Sequence, residues 1–381
     1  MACPPVNKPK ALVIGGTGPT GPHVVCGMVE RGYQVAMLHS GRHEDPSIPD
    51  CVEHIHTDAF DRACLEAALA HREFDVAIVM YGRLREIAAV LHQRVGRFIS
   101  VGGVPANRGF DDPAGLPLGA LKVPARESGP RASAQVLGNS KIAHIVRSED
   151  AVFEFHPQAF HFRFPVIYGP RQLMAREWMV VRRVLDRRGR IILPDGGCAL
   201  MSNAFSQNAA QAILCAADQR GNEHSGVYNV SDEWTPTLRQ WVSILADALG
   251  HRFEIIDMPF ALASVAWPLL SMNDPFHRVF AMDKAMYLLG YRDVVPVEEA
   301  LARTARWLVD NPPQTADSIA TGDRFDYAGE DRLIAAWQQA ATQLRPLAEE
   351  LQAAGTLGQR YRPDFDAAAG HQAGAWALLR R

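Results

Sequence analysis

The chain has 381 residues, of which 48% are hydrophobic and 21% charged; it can bury a large core, and global disorder is excluded. At roughly 150 residues per domain, it holds two domains or one large domain with an appended lobe. Its 39 Lys+Arg against 42 Asp+Glu leave a formal net charge of −3, which argues against a phosphate backbone or an anionic membrane as the main partner.

The stretch Met1 to Lys10 is too polar and proline-rich for a signal-peptide core. Ala11–Ile14 is a short apolar strand running into glycines. A helix over Val24–Arg31 ends at Gly32, and Val35–Leu38 is a second strand. Val52–His56 is a third, alternating strand. Ala63–Ala70 reads as helix, Asp75–Met80 as buried strand, Leu84–Leu91 as helix and Phe98–Val101 as strand. This βαβ rhythm predicts an α/β fold: a Rossmann-type, doubly wound parallel sheet. From Pro105 to Arg131 proline and glycine are dense, and a long loop is expected, of the kind that more often serves function than not. Helix resumes over Ala132–Arg147, and a strand over Phe160–Ile167 ends at Gly169–Pro170.

Later elements are less regular. Helices are expected at Arg176–Arg188, Asn208–Asp218 and Leu238–Leu249, and a short strand at Phe253–Ile256. From Pro296 onward the pattern is mostly helical, and the closing Ala/Gly-rich residues are expected to pack poorly. The expected division is a dinucleotide-binding domain over 1–170, including loop 105–131, and a smaller C-terminal α+β substrate lobe over 171–330, some elements of which return to the first sheet. A helical extension covers 331–381. The longest apolar stretch, Met258–Ser271, contains Pro259 and Pro268 and is shorter than the ~20 residues of a spanning helix, so no membrane span is expected. No two of Cys3, Cys26, Cys51, Cys64, Cys198 and Cys215 are spaced as CxxC, which points to free thiols in a reducing cytoplasm.

Gly15–Gly16–Thr17–Gly18–Pro19–Thr20–Gly21 stands between the first strand and the first helix. Read as GxxGxxG, Gly15 permits a tight turn, Gly18 lets the backbone approach a pyrophosphate, and Gly21 lets helix and strand pack closely. Between a strand and a helix at the start of a βαβ run, this is a strong dinucleotide signal. The second strand ends in His39–Ser40–Gly41–Arg42, without the acidic residue that holds a ribose diol. Ser40 and Arg42 therefore favour a 2′-phosphate, making NADP the expected cofactor ahead of NAD; a solvated Arg42 is the bland alternative. Asp58, next to Ala59, is placed to meet the adenine amino group or to cap the following helix.

With Arg163–Phe164–Pro165–Val166–Ile167–Tyr168–Gly169–Pro170–Arg171, Ile192–Leu193–Pro194–Asp195–Gly196–Gly197, Val227–Tyr228–Asn229–Val230 and Leu289–Gly290–Tyr291, the chain resembles the extended or atypical short-chain dehydrogenase/reductases, the NAD-dependent epimerase/dehydratase family, over about residues 10–310. The resemblance implies a Rossmann domain with a C-terminal substrate lobe. Met80, Tyr81, Ser100, Pro165 and Ile167, at or just beyond the later strands, complete the expected cofactor contacts. The family's YxxxK pair maps to Leu137 and Lys141, and its serine to Gly102, so the tyrosine and the serine are missing. The usual tyrosinate relay cannot run without them. Lys141 and Tyr81 are the remaining catalytic candidates. His156 and His161 read as incidental members of an aromatic strand. Neither HxH nor HExxH spacing is read in the chain, and no metal is expected.

Arg176, Arg182, Arg183, Arg187, Arg188 and Arg190 form a basic cluster, read as a diphosphate grip, a solvated face or a nucleic-acid contact, with the solvated face the default. Phe260, Trp267, Leu269, Leu270, Met272 and Phe276 read as lobe core or as cover for a hydrophobic substrate. The leading expectation is an NADP-dependent oxidoreductase acting on a small carbonyl or conjugated substrate. The alternatives are a non-catalytic NADP-binding regulator and a sugar-nucleotide epimerase/dehydratase-like enzyme. The resemblance further implies homodimerisation through helices near Arg83–Val95 and Ala132–Val146, where Ile87, Val90 and Leu91 form an apolar stripe that would equally face the sheet.

Overall fold

A computed structural model describes residues 8–42, 44–80, 83–113, 121–133, 140–172, 174–270, 272, 274–313 and 323–354. The chain divides into two compact units, 1–324 and 325–381. The second is described through one 28-residue helix, Tyr327–Ala354. The expected Ala/Gly-rich tail lies outside the described residues.

The first unit is built on a seven-stranded sheet in which every pairing is parallel. Its strands are β1 (Lys10–Ile14), β2 (Gln34–His39), β3 (Glu53–His56), β4 (Phe74–Val79), β5 (Val95–Gly103), β6 (Phe160–Phe164) and β10 (Gly226–Asn229), in the order β10-β6-β5-β4-β1-β2-β3. Alternation along the strands explains why both faces are covered. Val13, Ile78, Ile99 and Phe162 enter one apolar cluster with residues of α1 (Gly21–Glu30) and of the helix Ser206–Ala217. Leu12, Ala77 and Phe98 enter another with residues of α2 (Arg62–Ala68), α3 (Leu84–Val90) and the helix Lys141–Phe155. The chain winds outward in opposite directions from the β1–β4 pair. The carboxyl ends of those two strands therefore form a crevice at the topological switch point, where such sheets bind ligands.

Two small parallel pairs lie outside this sheet: β7 (Val166–Tyr168) with β9 (Asn203–Phe205), and β8 (Arg190–Pro194) with β11 (Glu254–Met258). The long segment after β5 is closed at its base. Asn107 bridges Arg131, and backbone bonds join Arg108 N to Pro130 O at 2.9 Å and Ala132 N to Ala106 O at 2.9 Å. Its side chains Phe110, Leu121 and Ala125 bury against Phe280.

Boundaries differ from the sequence expectation where a cap decides them. The helix expected from Ala132 starts at Lys141, because the Ser140 hydroxyl accepts the Ala143 N–H at 3.2 Å, and it runs on to Phe155. Residues 134–139, including Leu137, lie outside the described residues. The helix α2 is capped by Asp61, whose carboxylate accepts from the N–H groups of Ala63 and Cys64. No helix among the described residues is long and apolar enough to cross a membrane.

Candidate cofactor and substrate site

The glycine loop closes the crevice at the end of β1, and its glycines are needed for different reasons. Gly15 has φ +92°, and a Cβ on it would lie 2.8 Å from the Met80 carbonyl oxygen. A Cβ on Gly21 would lie 2.2 Å from the Gly16 carbonyl oxygen, so helix and loop backbones touch there. Gly18 is different: a Cβ would meet only Gly15 O, at an ordinary 3.8 Å. The protein does not fill the space beside Gly18. That vacancy fits a pyrophosphate approaching the start of α1, whose N-cap Thr20 makes no side-chain cap bond. Thr17 and Pro19 line the same loop half-buried, and Met80 is half-buried against it.

At the end of β2, Ser40 and Arg42 are exposed, and the Arg42 N–H reaches the Ser40 hydroxyl at 3.4 Å. Asp58 is exposed and accepts the Phe60 N–H at 2.8 Å; it caps no helix, since Asp61 takes that place. Ala59 is buried. Phe60 is 57% exposed, and the Arg83 guanidinium lies 4.9 Å over its ring.

Ser100 does not line the crevice. It is fully buried, and its hydroxyl is spent on His161 Nδ1 at 2.8 Å. His161, read as incidental from sequence, occupies the centre of a buried polar network. Register pairs it with Ser100 across β5 and β6, and its ring leans toward Gly102, where a Cβ would lie 2.5 Å from Nε2. The family's serine position is thus filled by an imidazole from the neighbouring strand. His161 Nε2 is also 3.5 Å from Glu149, which Arg163 holds through bonds of 2.7 and 2.8 Å. Arg131 reaches Glu149 at 3.1 Å, and Arg163 reaches Asn107 at 3.1 Å. Burial pulls the His161 pKa down to about 4; Glu149 opposes this and the arginines add to it. Burial pushes the Glu149 carboxyl up, but the Arg163 bonds and charge outweigh it and leave it below the usual range. The network fixes the base of the segment after β5.

Lys141 is the first residue of its helix and is exposed. Tyr81 lies outside the described residues. Pro165 and Ile167 are half-buried at the β6–β7 junction. The arginine cluster does not form one face: Arg176 and Arg183 are buried, Arg176 donates to Asn203 at 2.7 Å, and Arg182 and Arg190 pair on the surface with Asp186 and Glu254. The apolar stretch is split, with Leu269 and Leu270 in the core and Met272 and Phe276 exposed. Ile87, Val90 and Leu91 all bury within their own chain, so this stripe is not free to form a dimer contact. Cys26, Cys51, Cys64, Cys198 and Cys215 are unpaired.

Sequence reasoning passed over a histidine cluster. His54 and His56 stand at HxH spacing in β3, and alternate residues of a strand share a face. The register sets His56 opposite His39, and Glu44 from the β2–β3 connection joins them. The expectation of no metal rested on reading no HxH spacing, which overlooked His54–Ile55–His56.

No family model matches the chain. The uncharacterized protein YbjS of Escherichia coli is 28% identical over 147 residues, which cover 34% of this chain and 44% of that protein, so the match spans less than half of the relative's length. Solved structures match more widely. The UDP-glucose 4-epimerase of Thermotoga maritima, solved with UDP-glucose, has a TM-score of 0.61 at 18% identity, covering 80% of this chain and 100% of its own. The Bordetella bronchiseptica enzyme WbmH, solved with NAD+, has 0.61 at 16%, covering 79% and 99%. The UDP-glucuronic acid 4-epimerase of Bacillus cereus, solved with NAD, has 0.59 at 14%, covering 80% and 100%. These matches overturn the NADP expectation and the carbonyl-reductase reading: two of these three structures are sugar-nucleotide epimerases, and the two named with a dinucleotide hold NAD. Ser40 and Arg42 are exposed, and the Arg42 N–H turns back to the Ser40 hydroxyl at 3.4 Å. At these identities the likeness is one of fold: the chain shares the Rossmann-type fold of these epimerase structures.

Proposed function

We propose that the chain binds NAD in the crevice at the carboxyl ends of β1 and β4 and is a sugar-nucleotide epimerase/dehydratase-like enzyme with a nucleoside-diphosphate sugar as substrate. The observation that carries this reading is the unfilled space at Gly18, beside an otherwise tightly packed glycine loop. Bound NAD would supply reversible acceptance of a hydride. The chain's own part is to hold the pyrophosphate on loop N–H groups and to present Lys141 at the start of its helix. The substrate pocket is assigned to the segment after β5 and the lobe that Phe280 contributes to.

Proton handling differs from the family pattern, because Gly102 and Leu137 offer no hydroxyl. That same observation favours a second reading, nucleotide binding without turnover: the space of the family's serine is filled by His161. Both readings are tested on the purified chain. NAD(H) and NADP(H) affinities are measured by fluorescence, and a UDP-sugar panel is incubated with NAD and followed by NMR. Epimer or keto-sugar formation supports the enzyme. NAD binding with no sugar nucleotide bound or changed supports the second reading. Tighter NADP(H) than NAD(H) binding overturns the cofactor assignment.

A further inference from the structure

The edge of the main sheet farthest from β10 carries a set of side chains that the nucleotide reading does not use. Among the described residues β3 is the edge strand, has four residues, and pairs only with β2. On one face of this pair stand His39, His54 and His56, with Glu44 arriving from the connection between the strands. One potential ligand atom from each of the four lies within 4.8 Å of those of the others. His39 Nε2 and His54 Nδ1 are 3.0 Å apart, and the Glu44 carboxylate oxygens are 3.5 Å from His54 Nδ1 and 3.5 Å from His56 Nε2. A tetrahedral zinc ion with bonds of ~2.0–2.1 Å sets its ligand atoms about 3.3 Å apart. These three separations lie near that value, with His54 facing Glu44 Oε2 and His56 facing Oε1, and the whole set lies within 4.8 Å.

We propose that His39, His54, His56 and Glu44 form a divalent transition-metal site, with Zn2+ the best fit. Three imidazole nitrogens and one carboxylate suit zinc's borderline softness and tetrahedral preference, whereas Ca2+ and Mg2+ call for oxygen ligands. Four protein ligands leave no open position, so the site is structural: it clamps a short edge strand to its one neighbour. His39 is 7% exposed and anchors the site, while His54, His56 and Glu44 are reached from solvent, which gives the ion an entry path. One local bond must yield. The Gly41 N–H now reaches His39 Nδ1 at 3.3 Å; ligation through Nε2 puts the imidazole proton on Nδ1 and ends that contact.

The test uses the full-length chain, stripped by a chelator and titrated with ZnCl2 alone, without nucleotide. The wild type is expected to bind one equivalent of Zn2+ and to gain thermal stability from it, as a ligand of the native state must produce. His54→Gln/His56→Gln is expected to weaken binding by on the order of 10²-fold or more, at least the cost of losing a mere outer-shell partner. Equal Zn2+ affinity in wild type and double variant overturns the proposal, as does no stoichiometric binding by the wild type. Far-UV circular dichroism checks that the variant folds. If it does not, Co2+ bound to the wild type decides: intense tetrahedral visible absorption supports the site, and a pale octahedral spectrum overturns it.

Discussion

The His161 imidazole stands where a side chain on Gly102 would go, with Nε2 2.5 Å from the position of a Cβ. Ser100 holds the ring there from the same strand as Gly102, through a 2.8 Å bond to Nδ1, and Glu149 faces it from the helix above. The absent serine and the buried histidine are therefore one structural fact. Gly102→Ser should cost about 1–3 kcal/mol, the usual price of overpacking a rigid site. In a His161→Ala background the same change should cost nearly nothing further, so urea unfolding of the four proteins should show strong coupling. Additive costs would mean that the ring does not occupy that space.

Glu149 is buried against Arg163, with Arg131 at its other side. Glu149→Gln should lower stability by about 3–5 kcal/mol, because it leaves the Arg163 charge buried without its partner. The readout is the denaturation midpoint at constant slope. A loss below 1 kcal/mol would show that water reaches Arg163.

Stability should fall as acid charges His161. Its folded pKa is near 4 and its unfolded value is 6.5, so the unfolded chain binds the proton more readily. The contribution is fully present above pH 6.5 and is lost as pH falls toward 4, amounting to about 3 kcal/mol. His161→Gln should remove this slope, as measured by unfolding free energy across that window.

Asp232 should act in the opposite sense. Burial raises its pKa to about 7 from 3.8, even though it accepts the Phe205 N–H and an Asn208 N–H at 2.9 Å each. The folded chain then binds the proton more tightly. This stability is complete below pH 3.8 and is lost as pH rises through 7. Asp232→Asn should flatten that decline, making the variant gain on the wild type between pH 4 and 7. An unchanged pH profile would mean that the carboxylate is solvated.

Within the glycine loop, position matters more than residue type. Gly21→Ala should destabilise the fold, since its Cβ would lie 2.2 Å from the Gly16 carbonyl oxygen. Gly18→Val should leave thermal stability nearly unchanged and abolish NAD binding, because only a ligand competes for that space. Normal NAD affinity in Gly18→Val would move the pyrophosphate elsewhere.

The sequence by itself determined the local parts. The apolar run Ala11–Ile14, the glycines after it and the repeating strand–helix rhythm specify a parallel sheet with a phosphate loop, because hydrophobic period and glycine placement are properties of neighbours in the chain. Sequence also located Gly102 and Lys141, since both are read by their distance from a strand or a motif. Tertiary structure decided what those positions mean. His161 and Gly102 are 59 positions apart in the sequence, and only the β5–β6 register sets the ring into the gap. His39 and His56 meet through the β2–β3 register, so the His54/His56 pair and the more distant His39 converge with Glu44 on one face. The arginines between 176 and 190 look like one basic patch in sequence, yet helix and strand geometry turns Arg176 and Arg183 inward and Arg182 and Arg190 outward. Local pattern encodes which elements form; which side chains touch depends on strand register and helix facing, and these are fixed only when the whole core packs.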